Sequence, residues 1–159
     1  MRLRSLNRLV SATLALSECS RVLVLGSSSL LASFPEFDSE EGPLESTYDA
    51  DLLLEPIEKE TAAILSESIG NKSLHHTKNG FYADILHPSI TDPFPPGWKD
   101  RLVPLKGFSN VWALDPYDLA MVKLCVGREK DFGIGQSPFK SEETGVCQAA
   151  GTICFAAFR

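Results

Sequence analysis

The chain has 159 residues, 43% of them hydrophobic and 23% charged, with a formal net charge of -6 and a pI near 5.0. This balance fits one globular domain and argues against broad, nonspecific binding to nucleic acid or to anionic membranes. No apolar run approaches the ~20 residues that span a bilayer, so no membrane partner is expected, and the four cysteines form no C-x-x-C pair, which points to reduced thiols in a cytoplasmic protein without a zinc site.

Leu3, Leu6, Leu9, Val10, Thr13 and Leu14 fall at helical spacing and predict an amphipathic first helix over about Leu3 to Ser17. Arg2, Arg4 and Arg8 ahead of an apolar stretch give a faint likeness to a signal peptide, but no A-x-A cleavage site follows. Arg21–Leu25 reads as a short buried strand that runs into Gly26. Glycine there lets the chain turn sharply and lets backbone approach a ligand closely. Ser27 or Ser28 is expected to cap a short second helix over Ser29 to about Ser33, whose first N–H groups suit an anion. Phe34 to Ser46, with Pro35, Gly42, Pro43 and five acidic residues, reads as a long loop.

Tyr48–Leu54 reads as a second strand carrying Asp49 and Asp51. Residues two apart on a strand share a face, with Cα atoms roughly 6.6 Å apart, so the two carboxylates can bracket a hard cation. A cation site facing a phosphate-binding turn suits phosphoryl or nucleotidyl transfer. A third helix is expected with Pro56 in its first turn, Glu58 and Glu60 at its positive end, and Gly70 as its stop. Its apolar stripe is Ile57, Ala62, Ala63, Ile64, Leu65 and Ile69. Asn71 to Gly80 reads as a turn-rich connection, and Phe81–Leu86 as a third strand. Phe81, Ala83 and Ile85 would share one face; Tyr82, Asp84 and Leu86 would share the other. A carboxylate in such a run is costly to bury unless paired or bound to metal, so Asp84 is a candidate third acid. The plainer alternative is a partly exposed acid on an edge strand.

Pro88 to Pro96 reads as a loop, and Leu102–Leu105 as an edge strand because it contains Pro104. Val111–Leu114 reads as a last short strand. Asp115, Pro116 and Asp118 then mark a helix start, and the helix carries Lys123, followed by Arg128, Lys130 and Asp131. Residues 133 to 159, broken by Gly133, Gly135, Pro138, Gly145 and Gly151, have no clean period. The expected organisation is one domain over residues 1–132 and an irregular C-terminal segment over 133–159. The fold class is α/β (α+β), a mixed sheet of about four or five strands with packed helices.

Other constellations carry less. Gly26-Ser-Ser-Ser lacks the second glycine of a nucleophile elbow. His75 and His76 are adjacent and face opposite ways on an extended segment, so they do not readily share a metal. Gly133-x-Gly135 follows a helix rather than a strand, unlike a dinucleotide loop. Trp98 and Trp112 read as packing anchors.

Taken together, the ordered pieces resemble the nucleotidyltransferase superfamily, and most closely a poorly characterised prokaryotic branch known as a domain of unknown function. The likeness rests on Leu25-Gly26-Ser27, Asp49-Ala-Asp51, Gly80-Phe-Tyr-Ala-Asp84, Pro96-Gly97-Trp98-Lys-Asp-Arg101, and Leu114-Asp-Pro116-Tyr-Asp-Leu119 with Lys123-Leu and Arg128-Glu-Lys130-Asp131. It covers about residues 20 to 132. The resemblance implies a minimal nucleotidyltransferase core. Gly26 and Ser27 would hold a nucleotide triphosphate. Asp49 and Asp51 would bind Mg²⁺ or Mn²⁺, and Asp84 would complete the metal site or activate the incoming hydroxyl. Lys123 would meet phosphate by looser analogy. The implied activity is metal-dependent transfer of a nucleotidyl group from an NTP to a hydroxyl acceptor, with protein and RNA both open as acceptors. The alternative within the same resemblance is a catalytically silent module that binds a protein partner, as in a toxin–antitoxin or defence system.

Overall fold

The structure, a computed structural model, describes residues 1–126. Arg128, Lys130, Asp131, the expected boundary at 132 and the segment 133–159 lie outside the described residues. Among the described residues there are five α-helices: α1 (Leu3–Leu16), α2 (Leu30–Ser33), α3 (Lys59–Ile69), α4 (Leu74–Asn79) and α5 (Pro116–Val126). Five strands, β1 (Arg21–Val24), β2 (Asp49–Glu55), β3 (Tyr82–Ile85), β4 (Val103–Pro104) and β5 (Val111–Ala113), form one mixed sheet in the order β3-β2-β1-β5-β4. The fold is α+β, and β1 and β2 pair antiparallel with Val22 opposite Leu54 and Val24 opposite Leu52. β1 pairs parallel with β5, and β2 parallel with β3.

Both faces of the sheet are covered, which is why Val22–Val24 of β1 and Leu52–Leu54 of β2 are consecutive apolar residues rather than alternating ones. On one face Val22, Val24, Ala50, Leu52, Leu54, Ala83 and Val111 pack with Leu6, Leu9 and Val10 of α1 and Leu65 and Ile69 of α3. On the other, Leu23, Leu25 and Leu53 pack with Trp98, Leu114 and Leu119. Each fully buried leucine contributes about 1.5–3 kcal/mol by leaving water, so the larger face anchors the fold and the smaller one is the thinner layer. The Met1 amino group donates to the Leu44 and Thr47 carbonyls, tying the acidic loop back onto the start of α1. Burial pushes the pKa of that amino group below its ordinary value.

The sequence pattern differs from the structure at several places. No serine side chain caps the second helix. Ser27–Ser29 forms a 3₁₀ turn instead, and the Leu30 N–H bonds the Ser27 and Ser28 carbonyls. Backbone thus satisfies the groups that a hydroxyl was expected to meet. Pro56 lies ahead of α3, joined to Glu55 by a cis peptide, and the helix starts at Lys59 after an extended Glu58. Its buried face is Leu65 and Ile69, while Ile64 is 51% exposed. The connection after Gly70 holds a helix, α4, capped by Ser73, whose hydroxyl accepts from the His76 N–H, and ended by Gly80 in the left-handed conformation. His75, His76 and Thr77 are weak helix formers, which hid this turn-and-a-half of helix. The Asp115 cap is present: its carboxylate accepts from the Tyr117 N–H at 2.8 Å.

Candidate functional site

Side chains alternate across a strand, so Asp49 and Asp51 share a face with Leu53, on the thinner side of the sheet. On β3, Tyr82 and Asp84 share that same face with Leu86, which packs against the same small core. The parallel register sets Asp49 beside Tyr82 and Asp51 beside Asp84. One carboxylate oxygen from each of Asp49, Asp51 and Asp84 lies within 4.8 Å of the other two. Asp49 and Asp51 are half-buried and Asp84 is exposed.

This spacing suits an ion. Oxygens on opposite sides of a hard divalent cation bound at ~2.1–2.4 Å lie about 4.2–4.8 Å apart. The donor set, three carboxylates and no sulfur or imidazole, is that of Mg²⁺, Mn²⁺ or Ca²⁺ rather than of zinc or copper. Bringing three negative charges this close raises their mutual energy, and a cation relieves it. The same field reaches Tyr82. Burial, and then the charges of Asp49, Asp84 and Asp51, push its phenol above the ordinary tyrosine value.

Gly26 stands directly against Asp51. Its φ of +20° is one that L side chains rarely adopt, and a Cβ there would lie 1.7 Å from Asp51 Oδ2. The glycine is therefore required twice, by backbone conformation and by the carboxylate beside it. The turn is pinned to the strand it faces by the Leu25 N–H to Asp51 carbonyl bond at 2.8 Å. On the far side of the turn, Lys123 Nζ donates to Ser27 Oγ at 3.0 Å. The structure thus brings all six expected residues to one place: Gly26 beside Asp51, the three acids together, and Lys123 on Ser27. The hydroxyls of Ser28 and Ser29 are buried with no hydrogen-bond partner among the described residues.

Two features escaped the sequence pattern. Tyr82 is the phenol beside the acids; its place on the Asp84 face of β3 was legible, but its role as a neighbour of Asp49 needed the register. The second is Arg101, which grips Asp118 through Nε and Nη2 at 2.9 and 2.7 Å. Arg101 Nη2 also reaches the Pro96 carbonyl at 3.2 Å. This bidentate pair locks the first turn of α5 to the Trp98–Arg101 turn, and so sets where Lys123 lands about one and a half turns later. Asp118 is 4% exposed, and two segments that carried the family likeness meet at this ion pair.

A family model described as "Nucleotidyltransferase of unknown function (DUF6036)" matches residues 1–134, and the chain belongs to that family. No curated protein and no solved structure matches it. No helix among the described residues is long and apolar enough to cross a membrane.

Proposed function

Starting from membership of this nucleotidyltransferase family, we propose that the chain transfers a nucleotidyl group from an NTP to a hydroxyl acceptor with the help of a divalent cation. The observation that carries this reading is the group of three carboxylates within 4.8 Å beside the Gly26–Ser27 turn. Asp49 and Asp51 hold the cation, and Asp84 completes its shell or serves as base. Bound there, Mg²⁺ or Mn²⁺ supplies Lewis-acid stabilisation of charge on the triphosphate.

The residues then divide the work. The Gly26–Ser27 turn cradles phosphate, where a backbone without a side chain can approach closely. Lys123 brings a positive charge to Ser27 and so to the phosphate side of the site. The acceptor oxygen forms a bond to the α-phosphorus as the bond from that phosphorus to the bridging oxygen breaks. The electron pair leaves with pyrophosphate, and the hydroxyl proton passes to Asp84. Positioning and charge stabilisation supply most of the rate in such a reaction.

The test uses melting temperature and label transfer. Mg²⁺ with ATP at ~100 times its dissociation constant stabilises a single-site binder by about 2.7 kcal/mol. Asp51→Asn is expected to abolish that gain and to leave the apo protein as stable as before or slightly more so, because one like charge is gone. Incubation with α-labelled NTPs, Mg²⁺ or Mn²⁺ and a cell extract should place label on a hydroxyl-bearing acceptor. No shift of the melting temperature with any NTP would favour the silent partner-binding module instead. A large loss of apo stability in Asp51→Asn, with nucleotide binding unchanged, makes Asp51 a structural acid.

A further inference from the structure

α1 presents a second polar surface on the opposite side of the sheet from the carboxylates. Leu3, Arg4, Asn7, Arg8, Ser11 and Ala12 recur one helical turn apart and form a stripe along the helix. With Asp38 and His75 they line a concavity of about 680 Å³. That volume is of the size of small-molecule sites, ~300–1,000 Å³, and the concavity is wide open to solvent. Its position follows from the residue that leads into β3: Phe81, on the α1 and α3 side of the sheet, carries the His75 ring edge-on at 5.2 Å and the Arg8 guanidinium at 6.0 Å. Tyr82, with the His76 ring tilted against it at 4.6 Å, faces the acids. The two surfaces therefore share an edge strand but not a face.

Three features of the concavity point to a ligand. Arg4 and Arg8 are exposed and make no ion pair among the described residues, in a chain of net charge -6. The acid that lines the site, Asp38, is already engaged by Arg2 Nε at 3.2 Å and the Leu3 N–H at 3.0 Å, so it does not neutralise them. Asn7 Oδ1 and His75 Nδ1 are buried with no hydrogen-bond partner among the described residues. A buried polar atom without a partner destabilises the fold, and a ligand toward which the Asn7 and His75 side chains turn recovers that cost.

We propose that this concavity binds a small phosphorylated molecule that also carries hydrogen-bond donors, a nucleoside phosphate or a sugar phosphate. Two guanidiniums in one site match phosphate oxygens in a fork geometry. An amide oxygen cannot meet phosphate, since both accept, so Asn7 Oδ1 calls for a hydroxyl or amino donor elsewhere on the same ligand. His75 Nδ1 serves as donor or acceptor according to tautomer. The site is independent of the proposed nucleotidyl transfer and stands whether or not that reaction occurs.

The experiment is an NMR titration of the isotope-labelled full chain, in EDTA so that the carboxylates hold no metal. The probes are AMP, ribose 5-phosphate, adenosine and inorganic phosphate. AMP is expected to shift Arg4, Asn7, Arg8 and His75 saturably, and adenosine is not. If ribose 5-phosphate binds as tightly as AMP, the sugar phosphate is what the site reads; if AMP binds more tightly, the base is read as well. Arg4→Gln/Arg8→Gln, two exposed changes, should weaken AMP by at least about tenfold with the melting temperature kept. Asn7→Leu should weaken AMP several-fold but leave inorganic phosphate unchanged. Asp51→Asn should leave AMP binding in EDTA as it was. Four results overturn the proposal: no saturable shift, adenosine binding as well as AMP, unchanged affinity in the double arginine variant, or shifts that fall on Asp49 and Asp84 instead.

Discussion

Gly26→Ala tests the geometry of the acidic site without touching an acid. The added Cβ would stand 1.7 Å from Asp51 Oδ2 and 2.7 Å from its Cγ. Ordinary van der Waals contact begins near ~3.5 Å, so the carboxylate has to swing away by well over an ångström. An alanine held at φ +20° adds strain of about 1–2 kcal/mol. An Asp51 side chain driven off its rotamer adds about 0.5–1.5 kcal/mol. The expected loss is therefore about 1.5–3.5 kcal/mol, or roughly 3–14 °C of melting temperature at this size. Asp51→Ala removes the clashing oxygens and leaves only its Cβ, which lies 3.2 Å from the new methyl. In that background Gly26→Ala should cost only the backbone share, so a double-mutant cycle by urea unfolding should return a coupling of about 1 kcal/mol. Equal costs in both backgrounds would show that Gly26 and Asp51 do not meet as described. A second readout is metal: Gly26→Ala should lose the Mg²⁺-dependent melting shift even under conditions where it is fully folded.

Three further outcomes are expected. Arg101→Ala leaves the buried carboxylate of Asp118 without its bidentate partner and should cost about 1–3 kcal/mol in urea unfolding, an estimate lowered because Arg101 itself is partly exposed. Tyr82 has its phenol pKa raised in the folded state, so its contribution to stability is full below the unfolded tyrosine value and is lost as pH climbs through the folded one. Tyr82→Phe should flatten that alkaline loss, and phenolate absorbance should show Asp84→Asn lowering the pKa only in part, since burial is the larger cause. Trp98→Ala empties the centre of the thinner core beside Leu23, Leu53 and Leu114 and should cost about 3–5 kcal/mol in thermal or urea unfolding.

The parts of the fold legible in the sequence were those where local signals agreed. Arg21–Leu25 was a continuous apolar run, Asp115-Pro116 a cap followed by a helix-starting proline, and the period of α1 matched its burial at Leu6, Leu9, Val10 and Thr13. α4 was missed because its residues are poor helix formers held by one serine cap and by His75 and His76 against β3. The start of α3 was misplaced because proline in a turn and proline at a first helical position look alike in sequence. The acids of the site were legible singly, through their spacing and their odd place in apolar runs. Their convergence was not, because it depends on the parallel register of β2 with β3, a contact between strands separated by two helices. The bidentate Arg101–Asp118 pair was invisible for the same reason: its members stand seventeen positions apart.

β3 is a strand of only four residues at the edge of the sheet, paired to β2 alone, and it carries Asp84. Edge elements open at a lower free energy than the strands they border. Detaching β3 would remove one carboxylate from the site while leaving β1 and β2 in place. The apo site is thus subject to transient disassembly that the hydrophobic core does not feel. A cation shared by Asp51 and Asp84 would act as a rivet between the two strands, and amide hydrogen exchange in Tyr82–Ile85 should slow far more on metal binding than exchange in β1. Assembly of the site and closure of the sheet's edge are then a single event.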